Sequence, residues 1–172
     1  MESGLTRRGD YAVRAVLELA RHHGRGRRKA REVSTVTDVP PRYLPQILGS
    51  LVQRGFLLAT AGPEGGYELA RPPDEITLLE VVEAIEGPFR AEVCVLRGGP
   101  CDWDRVCPVH VPWTAAERAF RKQLASWNFE ELAAADAAIE GGQYPTPADA
   151  HSGSRLRSGI RNPLEPGRSQ HA

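Results

Sequence analysis

No run of eighteen apolar residues occurs in the chain, which argues against a membrane-spanning helix. The first eight residues include Arg7 and Arg8 but lack the apolar stretch of a signal peptide, so no secretory leader is expected. The expected address is the cytoplasm, where thiols stay reduced. Cysteine is scarce: three in 172 residues, an odd number that does not suit a closed disulfide framework. Catalytic patterns are missing as well. There is no Ser/His/Asp arrangement, no paired-carboxylate motif and no cofactor fingerprint, so nothing points to an enzyme. The glycines at 62–66 lead into a strand with no lysine after them, which excludes a phosphate-binding loop.

The net charge is zero, but the charge is unevenly spread. Residues 1–54 carry a net of +6, residues 55–140 a net of −8 and residues 141–172 a net of +2. A basic amino-terminal segment on an acidic body suits a polyanion partner, and equally a solvated arginine-rich surface. At 41% hydrophobic content the chain has enough apolar material for a core.

All three cysteines fall within fourteen residues: Cys94, Cys101 and Cys107, with His110 three positions after the last. Gly98, Gly99, Pro100 and Pro108 make this a loop. Three thiolates and an imidazole suit tetrahedral zinc as well as an iron–sulfur cluster.

The remaining pattern is mainly helical. Residues 6–23 read as a helix with Val13, Val16, Leu17 and Ala20 on one face. Asp10 falls in its first turn, where a carboxylate suits the positive end of the helix dipole. A basic turn at 24–29 is followed by a short helix at 30–35, a turn at 37–40 and a helix at 41–54. The last helix has an apolar stripe of Leu44, Ile47, Leu48 and Leu51. That is the helix-turn-helix pattern, with the second helix placed to enter the DNA major groove. Two short strands, 56–60 and 66–70, flank a glycine-rich turn and predict a hairpin wing. Residues 76–86 predict a helix burying Leu78, Leu79, Val82 and Ile85. Residues 112–127 predict a long helix on which Trp113, Ala116, Phe120 and Trp127, with Leu124 beside them, approach a coiled-coil seam. Such a seam fits packing on a second subunit, or on the same chain's core. A short Ala-rich helix at 128–139 follows. From Gly141 the composition is that of a disordered tail. The expected division is therefore a winged helix at 1–87, a cysteine loop at 88–111, dimerisation helices at 112–140 and a tail at 141–172.

Several stretches resemble the Rrf family of winged-helix transcription regulators, which includes iron–sulfur and iron regulators. They are residues 5–15 (LTRRGDYAVRA), 43–48 (YLPQIL), 62–69 (GPEGGYEL) and the three-cysteine loop. The resemblance spans residues 5 to about 132. It implies a homodimer on double-stranded promoter DNA, with no membrane association. It also implies one iron–sulfur cluster per subunit on Cys94, Cys101 and Cys107, exposed to nitric oxide, oxygen or iron shortage. For the fourth ligand it offers two residues. One branch of the family completes a [4Fe-4S] site with an aspartate of the partner subunit, and Asp10 stands in that position. Another completes a [2Fe-2S] site with a histidine, and His110 stands there. On DNA, Arg42, Tyr43 and Gln46 are expected at base edges or backbone and Arg28, Lys29 and Arg54 at phosphates, with Gly65 and Gly66 at the wing. Two departures stand out. Ala61 replaces an arginine suited to a narrow minor groove. Pro45 replaces a glutamate of the recognition helix, and its missing N–H is expected to weaken that helix slightly.

Overall fold

The computed structural model describes residues 5–88 and 107–142. Its elements run α1 (Arg7–Arg21), α2 (Ala30–Thr37), α3 (Leu44–Gln53), β1 (Leu57–Thr60), β2 (Gly66–Leu69), a 3-10 turn (Pro73–Glu75), α4 (Leu78–Glu86), α5 (His110–Ala125) and α6 (Phe129–Glu140). The fold is mainly α with a two-stranded antiparallel hairpin, as expected.

Helix α1 lies at the centre of the fold. The Thr6 hydroxyl accepts from the Gly9 amide and starts the helix. The expected stripe understates its burial: Ala12, Ala15, Val16, Leu17, Leu19 and Ala20 are all buried, whereas Val13 is only half-buried. Small side chains let α2, α3, α4, α6 and β2 all approach it. The amino end is held from across the chain. The Thr6 amide and hydroxyl donate to Glu86 Oε1 at 3.1 and 2.6 Å. A Cβ on Gly9 would lie 2.1 Å from that same oxygen, so a larger residue there would push the Glu86 carboxylate off Thr6.

Local capping moves the boundaries. Helix α2 runs two residues further than expected and ends at Asp38, whose φ of 56° is left-handed. Residues 41–43 form a turn, closed by the Tyr43 amide on the Pro40 carbonyl at 2.9 Å, so α3 starts at Leu44 rather than 41. This corrects the expectation for Pro45. It falls in the first turn of α3, where amides have no intrahelical acceptor, so its missing N–H costs no helical bond. Helix α4 begins two residues late, because the Thr77 hydroxyl accepts from the Glu80 amide while the Glu80 carboxylate accepts from the Thr77 amide at 2.7 Å. Its buried face is Val81, Val82 and Ile85; Leu78 and Leu79 are half-buried.

The hairpin pairs Leu57 with Leu69 through Thr60 with Gly66. A third stretch joins it. Arg28 and Tyr67 exchange two backbone hydrogen bonds, 2.9 and 2.8 Å, so the basic turn at 24–29 edges the wing. Gly66 has φ of 153°, and a Cβ there would lie 2.6 Å from the Arg28 carbonyl oxygen.

Helix α5 packs on α4, tied by Arg121 to Glu83 at 3.1 Å. The segment after α5 is tied to the start of α4. The Leu78 amide donates to the Trp127 carbonyl and the Phe129 amide to the Ile76 carbonyl, each at 2.9 Å. Phe129 is fully buried in the core. Helix α6 lies on α1, where Arg21 bridges Asp136 and Glu140. Burial holds the Asp136 carboxyl above its ordinary range, whereas the Arg21 hydrogen bond holds Glu140 below its own.

Candidate nucleic-acid interface and metal centre

The turn before α3 and its first residues form an exposed polar edge. Arg42, Tyr43 and Gln46 are exposed, while Leu44, Ile47, Leu48 and Leu51 anchor the helix in the core. The Arg42 guanidinium lies 4.7 Å from the centre of the Tyr43 ring. That ring in turn lies 6.0 Å from Tyr11 on α1, tilted by 31°. Arg8 reaches α3 from the same side, donating to the Ser50 hydroxyl at 2.9 Å. No local pattern marks Tyr11 for this role, because its contact spans 32 positions of sequence.

The basic residues expected at phosphates differ in their surroundings. Lys29 and Arg54 are exposed. The Arg28 side chain is only 22% exposed, and its Nη2 donates to Glu18 at 2.7 Å, a carboxylate buried on α1. The side chain is thus turned onto α1 while the backbone edges the wing. Arg27 is paired to Glu68 on β2 at 2.9 Å. Gly65 and Gly66 have steric reasons to be glycine: a Cβ on Gly65 would sit 2.2 Å from the Thr60 carbonyl oxygen.

Of the residues expected at a metal, Cys94 and Cys101 lie outside the described residues. Cys107 is half-buried and free of any disulfide. His110 opens α5 one turn later, its amide donating to the Cys107 carbonyl at 3.1 Å. A thiol and an imidazole at this spacing are a donor pair suited to zinc or to an iron–sulfur cluster. Asp10 is on α1, and its Oδ1 accepts from Arg14 Nε at 2.9 Å. Arg14, itself buried, also donates to the Thr37 carbonyl at the end of α2. Among the described residues no three His, Cys, Asp or Glu side chains converge on one point. No helix among them is long and apolar enough to cross a membrane.

The model of the Rrf2 family, described as an iron-dependent transcriptional regulator, matches residues 5–135. The chain belongs to the Rrf2 family. It is 33% identical over 128 residues to the HTH-type transcriptional regulator IscR of Photorhabdus laumondii, covering 74% of this chain and 77% of that one. Among solved structures, CymR, the global cysteine regulator of B. subtilis, superposes with a TM-score of 0.66 at 26% identity, over 76% of this chain and 96% of that one. T. potens IscR superposes with a TM-score of 0.64 at 21% identity, over 86% and 96%, and supports the fold. As an Rrf2 regulator the chain is a winged-helix DNA-binding protein of transcription control.

Proposed function

We propose that this Rrf2 regulator is a homodimeric repressor whose grip on promoter DNA follows an iron–sulfur cluster, one per subunit. The observation that carries the reading is where the cysteine loop ends. Cys107 leads directly into α5, with His110 in its first turn. The far end of α5 is joined to the winged helix through Phe129 and the backbone bonds around Trp127. Trp113 and Phe120, seven positions apart, leave an exposed apolar stripe on one side of the same helix, which suits a second subunit.

Cys94, Cys101 and Cys107 would hold the cluster, with His110 or the partner's Asp10 as fourth ligand. When bound, the cluster supplies an iron open to nitric oxide, oxygen or iron loss at its non-thiolate position. The chain's own residues provide the linkage. Glu86, the last residue of α4, holds the start of α1 where the loop begins. Asp10 engages Arg14, and Arg14 reaches the carbonyl that closes α2. A change at the loop therefore bears on α1 and on the turn before the recognition helix. Two recognition helices must lie about 34 Å apart to enter successive major grooves, so a small change in their placement decides binding.

Anaerobic purification with visible spectroscopy and iron and sulfide analysis tests the reading. Wild type, Asp10→Ala and His110→Ala are compared, each with retardation of the upstream promoter fragment. A coloured wild type, with the spectrum altered in one of the two variants, is expected. Unchanged spectra in both variants would remove both ligand assignments. A colourless protein with one zinc per chain would favour a second reading, a zinc or reversible-thiol regulator. The likeness to a cysteine regulator gives that reading a footing.

A further inference from the structure

We propose that Arg42 determines sequence specificity by reading a guanine in each half-site, with its guanidinium positioned in advance by the Tyr43 ring. The inference rests on α3 being the recognition helix.

The first residues of a recognition helix meet the base edges. Arg42 lies in the turn immediately before those residues, and it differs from several of the basic residues nearby. Arg8 is spent on Ser50, Arg14 on Asp10 and Thr37, Arg27 on Glu68 and Arg28 on Glu18. Each of them has at least one donor on a protein acceptor. Arg42 makes no hydrogen bond or ion pair among the described residues, yet it is held: its guanidinium carbon lies 4.7 Å from the Tyr43 ring centre, within cation–π range. The ring itself is held, because Tyr11 of the central helix lies 6.0 Å behind it. Tyr43 is 40% exposed, so this platform faces solvent beside the reading edge.

An arginine plane fixed by stacking keeps its donor fork available at the edge. A fork of two parallel N–H groups matches the O6 and N7 acceptors of guanine in the major groove. A phosphate can accept the same fork, but it would carry no base preference, and that is the difference the test reads. Fixing the side chain before binding also reduces the rotamer entropy lost on the DNA.

The test is selection from a random duplex library with the full chain, isolated anaerobically. Wild type, Arg42→Ala, Arg42→Lys, Tyr43→Phe, Tyr43→Leu and Gln46→Ala are compared, with affinities measured across a salt series. The wild-type motif should contain one guanine per half-site whose replacement by adenine weakens binding by about 5- to 150-fold, the range of a good bidentate contact. Arg42→Ala, which truncates an exposed side chain, should bind both versions alike. Tyr43→Phe keeps a ring and should keep the preference; Tyr43→Leu should lose most of it. Arg42→Lys should discriminate less well than wild type. The proposal is overturned if the motif lacks such a guanine. It is equally overturned if Arg42→Ala weakens all sequences uniformly and lowers the salt slope by about one, the mark of a phosphate contact. A wild-type motif that no substitution in this set alters would instead overturn α3 as the reader.

Discussion

Helices α1 and α5 are nearly equal in length, fifteen and sixteen residues, and opposite in environment. Nine residues of α1 are buried, while Thr114 is the single buried residue of α5. The difference follows from what packs on each helix: α2, α3, α4, α6 and β2 surround α1, whereas α5 rests mainly on α4. Gly9, Ala12, Ala15 and Ala20 bring neighbouring backbones close to α1 on several sides. Trp113 and Phe120 are large and remain 37% and 48% exposed. Helix α1 is complete within one chain, whereas α5 presents a surface that suits another.

Four substitutions would break or sharpen that contrast. Phe129→Ala acts where the chain turns from α5 back onto the core. It empties a fully buried aromatic site and should cost about 3–5 kcal/mol, read as a lower midpoint in urea. Ala15→Leu adds bulk to a position with no exposure and should cost about 1–3 kcal/mol by the same measurement. A cost near zero would mean that α1 is not packed on every side. Trp113→Glu on α5 should leave the midpoint of the isolated subunit nearly unchanged but convert the proposed dimer to a monomer in sedimentation. If stability falls as far as for Ala15→Leu, the α5 face belongs to the chain's own core.

The smallest expected effect lies in α4 and depends on pH. Burial alone would raise the Glu80 carboxyl, but the Thr77 amide, the Arg71 guanidinium and the Thr77 hydroxyl outweigh it and hold the group below its ordinary range. A lowered carboxylate adds stability that is present above the ordinary glutamate value and lost as pH falls through the folded one. Glu80→Gln should therefore cost less than about 1 kcal/mol at neutral pH, and less again at an acid pH below the lowered range of the folded carboxyl. An equal cost at both pH values would show that its charge contributes nothing.

Much of this was legible because the signals were local. The helix-turn-helix stripe of Leu44, Ile47, Leu48 and Leu51 is buried as its spacing implied. The glycine turn between two short apolar runs does make a hairpin. Boundaries moved where caps decided them, as at Thr77 and in the turn before Leu44. Burial was misjudged where several elements meet: Leu79 was expected inside and Val81 was not, since the buried arc of α4 depends on where α1 and α5 lie against it. Arg28 looked like any member of a basic turn, and its link to Tyr67 spans 39 positions. For the metal centre the sequence pattern remains the main guide, since Cys94 and Cys101 lie outside the described residues.

The sequence by itself determined the winged helix, the family and the donor types at Cys94, Cys101, Cys107, Asp10 and His110. Each depends on residue identity and short spacing, which the chain carries without folding. Only the tertiary structure decided which of the like-charged arginines are already engaged. Arg14 and Arg28 are turned onto carboxylates of α1, and Arg42 is laid on an aromatic ring. Charge is a property of the side chain, but whether its donors are free for DNA depends on which acceptor the fold brings beside it.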